Sequence, residues 1–107
     1  MKIIYNKFIP FRGFLAINLF GVLFVRGTEH DISDIVLNHE KIHTAQMKEL
    51  SYVFFYIIYL MEWIGGLLQY KFHTKEAYRN ISFEKEAYCH EHDLSYLEHR
   101  GPYAMWK

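Results

Sequence analysis

Between residues 14 and 26, apolar and polar side chains alternate with a period of two, the mark of a β-strand. Leu15, Ile17, Leu19, Leu23 and Val25 fall on one parity, and Ala16, Asn18, Phe20, Val22, Phe24 and Arg26 on the other. Gly21 sits in the middle of this run, either as a bulge in one long strand or as the corner of a hairpin, and the pattern leaves both open. A shorter strand is predicted around residues 2–5, ahead of a turn at Pro10 and Gly13, and residues 27–31 read as a polar loop.

The period then changes. Ser33 is the predicted N-cap and Asp34 suits the positive end of the helix dipole, while Ile35, Ile42, Ala45 and Leu50 carry a helix to about residue 50. From Ser51 or Tyr52 to Leu68 the chain is apolar on every side, which predicts a helix that is centrally buried or in contact with a membrane. The run is at the lower limit of a bilayer span and contains Glu62 and a glycine pair, so burial is the expectation. Glu62 then needs an internal partner, for which a histidine of the preceding helix is the candidate. A fresh helix start is expected at His73 and Thr74, an interruption at 80–82, and a last helix capped by Ser82 and running to about Glu98. On that helix Phe83, Ala87, Leu94 and Leu97 are predicted to face the core, with Glu84, Tyr88, Glu91 and Ser95 on a neighbouring stripe. Tyr103, Met105 and Trp106 follow Gly101-Pro102 as an aromatic tail expected to dock. The predicted fold class is α+β: a small N-terminal strand or hairpin region packed on three main helices, forming one domain over residues 1–107.

Composition narrows the function classes. A 107-residue chain has room for one core, and 51% hydrophobic with 19% aromatic residues marks a folding sequence. Formal net charge is zero with scattered Lys and Arg, which excludes nucleic acid as a partner. Lys2, Lys7 and Arg12 precede an apolar run in the manner of an export signal. However, Asn18 interrupts the run and no small-residue cleavage site follows, so no export signal is expected. The single cysteine, Cys89, fits a reducing, cytoplasmic setting. Membrane contact through the 53–69 helix is the less favoured alternative, and the oligomeric state is not legible.

The candidate chemistry lies at His39-Glu40-Lys41-Ile42-His43, an HEXXH stretch inside the first predicted helix. Histidines four apart sit about 40° from each other around the axis, so both imidazoles reach one cation from one face. Glu40 projects at the rim, placed to take a proton from a coordinated water. Gln46 continues the stripe and reads as a polar residue at its edge. His90 and His92 diverge by about 200° on a helix and cannot share an ion. They read as surface residues, and His30 and His73 as loop residues.

Catalytic zinc sites commonly use three protein ligands, which leaves one to be supplied downstream. Glu84 and Glu86 both lie in the stretch from Asn80 to Tyr88, on opposite sides of a helix. This stretch, with the HEXXH, resembles the gluzincin class of zinc metallopeptidases, in which a ligand Glu is followed three positions on by a small residue. The resemblance implies Glu84 as the ligand, Ala87 as the small residue and Glu86 as a bystander whose replacement matters little. The family commonly has Asp next, where this chain has Tyr88, so the group that orients a ligand histidine is left unassigned. The chain is also similar to minimal single-domain gluzincins. That likeness implies a Zn2+ cofactor held by His39, His43 and Glu84, Glu40 as general base, and a peptide or protein substrate lying along a strand of the 14–26 region. It further implies that a terminal segment, here 103–107, can cover the cleft. Candidate oxyanion donors are Tyr88, His73, His90, His92, Arg79 and Tyr103. The alternatives are a catalytically silent zinc-binding domain and a membrane-peripheral or partner-binding helical module.

Overall fold

A computed structural model describes residues 2–7, 16–27 and 32–107. The expected turn at Pro10 and Gly13 and the loop residue His30 lie outside the described residues. Strands β1 (Lys2–Asn6), β2 (Ala16–Leu19) and β3 (Val22–Arg26) form a sheet in the order β1-β3-β2, with β1 parallel and β2 antiparallel to β3. Gly21 is therefore a hairpin corner. Phe20 (φ +53°) and Gly21 (φ +85°) both take left-handed backbone, the two-residue turn whose twist matches its flanking strands. The turn also resets the parity seen in the sequence. Ala16 pairs with Val25 and Asn18 with Leu23, so even positions of β2 share the inner face with odd positions of β3. Leu23 and Val25 are fully buried there, while Ile17 and Leu19 face out.

Helix α1 (Asp34–Glu49) begins where expected, with Ser33 Oγ accepting the Val36 N–H at 3.2 Å. Ser51 (φ +55°) and Tyr52 (φ +63°) then turn the chain by 111° into α2 (Val53–Gln69). Three short helices follow, α3 (Thr74–Arg79), α4 (Ser82–His90) and α5 (Tyr96–His99), and a 3-10 turn at Ala104–Trp106. The continuous last helix expected to Glu98 is broken after His90. Asn38 of α1 donates from Nδ2 to the carbonyls of His90 (3.4 Å), Glu91 (2.9 Å) and Asp93 (2.9 Å), satisfying acceptors that a helix end leaves open. Leu94 falls in the break and is exposed rather than in the core. Met47, Phe55, Ile81, Phe83 and Met105 form the main core cluster, and Ile42, Ala87 and Tyr96 a smaller one.

Two expectations for α2 are corrected. Phe55 is its one fully buried residue, and an apolar stripe along its outer side stays open to solvent. The reason is spatial: the inner flank of α2 fills the core through Phe55, and among the described residues no element covers the outer one. Glu62 does not meet a histidine of α1. Its carboxylate accepts the Ser82 N–H (3.0 Å) and hydroxyl (2.7 Å), so Glu62 caps α4, and Ser82 is the first helical residue rather than the cap.

Candidate metal centre

α1 and α4 pack side by side and bring three buried side chains to one point. His39 Nε2 and His43 Nε2 are 3.1 Å apart, and Glu84 Oε1 lies 3.2 Å from the first and 3.1 Å from the second. Among the described residues these three form the one group of His, Cys, Asp and Glu side chains able to share an ion. The separations are close to about 3.3 Å, the edge of a tetrahedron whose centre sits 2.0–2.1 Å from each ligand, the bond length of zinc to nitrogen or oxygen. Glu86 is not among the three and instead meets Gln46 and Arg100.

The outer nitrogens of both imidazoles are committed. His39 Nδ1 donates to Glu91 Oε2 at 2.8 Å, and His43 Nδ1 donates to Gln46 Oε1 at 2.8 Å. Gln46 is fixed in that orientation because its Nε2 donates to Phe83 O (3.0 Å) and to Glu86 Oε1 (2.9 Å). With Nδ1 protonated on both rings, each Nε2 presents a lone pair toward Glu84, so either a proton or a cation must sit among the three atoms. In the metal-free protein it is a proton. Burial pushes the His43 pKa down, but the hydrogen bond and charge of Glu84, with Glu40 and Gln46, overcome this and raise it from 6.5 to about 9. Glu84 shows the reciprocal effect: burial raises its pKa, and hydrogen bonds from His39, His43 and Tyr59 hold it well below the usual carboxylate range.

The chain matches no protein-family model, no curated protein and no solved structure.

The three side chains form the floor of a cleft of about 260 Å³, lined also by Glu40, Tyr59, Tyr78 and β2. Burial raises the Glu40 pKa; the charges of His43 and His39 oppose the shift, and that of Glu84 reinforces it. β2 is held over α1 by Asn18, whose Nδ2 donates to Glu40 O (3.1 Å) and Thr44 Oγ1 (3.0 Å) and whose Oδ1 accepts the Gly21 N–H (3.1 Å). β2 is an edge strand, and Tyr56 of α2 closes its hairpin end. The Tyr56 hydroxyl accepts the Phe20 N–H at 2.9 Å and donates to Asn18 O at 3.2 Å. Tyr59 donates to Glu84 Oε2 at 2.7 Å. Tyr78 receives a long hydrogen bond from Tyr88 (3.5 Å). Burial, then the charge of Glu84, raises the pKa of both Tyr59 and Tyr78, so both phenols keep their protons.

Several residues stand elsewhere than expected. None of the expected oxyanion donors lines the cleft; the tyrosines that do are Tyr56, Tyr59 and Tyr78. Tyr88 instead packs its ring against His39 (centroids 4.6 Å apart) with the Arg79 guanidinium on it. The tail does not cover the cleft. Trp106 Nε1 bonds Ser82 Oγ at 3.1 Å, Met105 enters the core, and the Tyr103 N–H meets Glu49. Glu86 is no bystander, because Arg100 pairs with it and with Glu49, and Tyr96 donates to it at 2.7 Å. Glu91, unassigned in the sequence, carried a signal: it lies two turns after Glu84 on the same helical stripe.

Proposed function

We propose that this chain is a zinc-dependent metallopeptidase with a zincin-like core, in which His39, His43 and Glu84 hold the ion and Glu40 is the general base. The observation that carries the reading is the convergence of two imidazole Nε2 atoms and one carboxylate oxygen at tetrahedral spacing, in a cleft that Glu40 also lines. A zinc ion held by His39, His43 and Glu84 would supply Lewis acidity, which makes water acidic enough to be deprotonated near neutral pH and polarises a carbonyl. The chain's own residues do the rest. Glu40, with a pKa raised by burial, accepts the proton of the attacking water and returns it to the leaving amine. The Tyr78 hydroxyl, kept neutral, donates to the oxyanion that develops on the carbonyl. An extended peptide pairs its backbone with the outer edge of β2 from Ala16 to Asn18, where the hydroxyl of Tyr56 ends the free edge. Glu91 and Gln46 fix the ring orientations of the two histidines.

The test compares zinc-loaded wild type with Glu40→Gln against a peptide library. Gln keeps the shape and cannot accept a proton, so zinc content and fold stay unchanged while cleavage falls at least about a hundredfold. Equal cleavage by both proteins would refute Glu40 as the base. No cleavage by wild type with zinc bound would favour a silent metal-binding domain.

A further inference from the structure

The outer side of α2 carries a seven-residue repeat that the metal centre does not use. Val53 and Leu60 are separated by seven residues, as are Ile57 and Ile64, and Phe54, Met61 and Leu68 continue the same spacing one position further round. These seven side chains are 48% to 67% exposed. With Ile57 and Ile64 placed at position a of a heptad, Val53, Leu60 and the half-buried Leu67 fall at d. Ile at a with Leu at d is the composition of a helix-to-helix seam. Beside it, Gly65 is open, with nothing within 4 Å of where a Cβ would stand, so a second backbone can come close. The helix bears no Lys or Arg, and its one charged residue, Glu62, is turned away to cap α4.

We infer that this face is the interface between two copies of the chain, joined α2 to α2. The charge of the helix chooses a second helix over a lipid surface, because a helix lying in a membrane interface is normally held there by Lys and Arg, which α2 lacks. The area fits as well. Seven side chains of this size, half open, expose on the order of 700 Å², above the largest patch of an ordinary monomer and close to the roughly 800 Å² per partner of a stable interface. The pairing is isologous, since each copy offers the same stripe.

The test is sedimentation equilibrium of the full chain from about 1 to 200 µM, with circular dichroism as the check on folding. Wild type is expected to double in mass across this range, and Met61→Lys and Ile57→Lys to remain monomers with unchanged helicity. Leu94→Lys, an equally exposed site off the stripe, is expected to dimerise as wild type does. A Leu60→Cys protein in a Cys89→Ser background, with the thiol at d on the seam, gives a second readout, disulfide-linked dimer on mild oxidation, which does not depend on the lysine variants folding. A monomeric wild type at 200 µM would overturn the inference. So would flotation of monomers with neutral phosphatidylcholine vesicles, which would make the stripe a lipid-facing surface.

Discussion

Gln46 is fully buried and touches both halves of the site, bonding His43 on one side and Glu86 on the other. Replacing it with Ala leaves the His43 Nδ1–H without its acceptor and takes one of two donors from Glu86 Oε1, which keeps Arg100. This is expected to lower stability by about 1–3 kcal/mol and zinc affinity about 10–100-fold, measured by thermal unfolding and competitive zinc titration. Glu91→Ala is expected to lose zinc affinity by a similar factor with a smaller change in stability, because Glu91 is nearer the surface. Glu86→Ala strips the buried Arg100 of its main counter-charge and is expected to cost about 3–5 kcal/mol. At this scale the shared face of His39 and His43 was legible, since HEXXH spacing on a helix dictates it, whereas Glu84 came only from the family resemblance. The supports of the histidines were less so. Glu91 shared the helical stripe of Glu84, but its pairing with His39 and the support of His43 by Gln46 are tertiary contacts with no local pattern.

Among the elements, α1 followed from periodicity with its N-cap Ser33 in place, whereas the alternation over 14–26 predicted strand but left Gly21 open between bulge and hairpin corner, because a period of two reads the same through either. The surroundings of α2 did not follow. Its composition asks for burial, but which neighbours cover it depends on how many elements a short chain has left to place. The edge strand β2 and α2 meet at Tyr56, and this contact limits the free edge. Tyr56→Phe removes the hydroxyl, keeps the ring against Phe20, and releases Asn18 O and the Phe20 N–H for pairing. KM is expected to fall severalfold for peptides long enough to reach past Asn18 and to stay unchanged for shorter ones, as read by steady-state kinetics on a peptide ladder. Equal KM changes across the ladder would mean that substrate does not run along β2.

For the molecule as a whole, the site couples protons to stability. His43 has a folded pKa of about 9 against 6.5 unfolded, so its contribution in the metal-free protein is complete below pH 6.5 and is lost as pH rises through 9. Glu84 has a folded pKa below its ordinary 4.5, so its contribution is present above pH 4.5 and lost on further acidification. The metal-free protein is therefore expected to be most stable between pH 4.5 and 6.5 and to lose up to about 3 kcal/mol by pH 9, measured by denaturant unfolding. On the proposed reading zinc is expected to reverse the trend: it would compete with the proton on His43, so that binding at pH 7 is expected to release about one proton, seen as a buffer-dependent heat in calorimetry, with a stabilisation that grows with pH. The most direct measurement of the central claim is zinc K-edge X-ray absorption on protein loaded with one equivalent of the metal. The expected spectrum has two imidazole nitrogens and only nitrogen or oxygen neighbours at about 2.0–2.1 Å, and it changes on Glu84→Ala. Sulfur at about 2.3 Å, fewer than two imidazoles, or the spectrum of free aqueous zinc would contradict it.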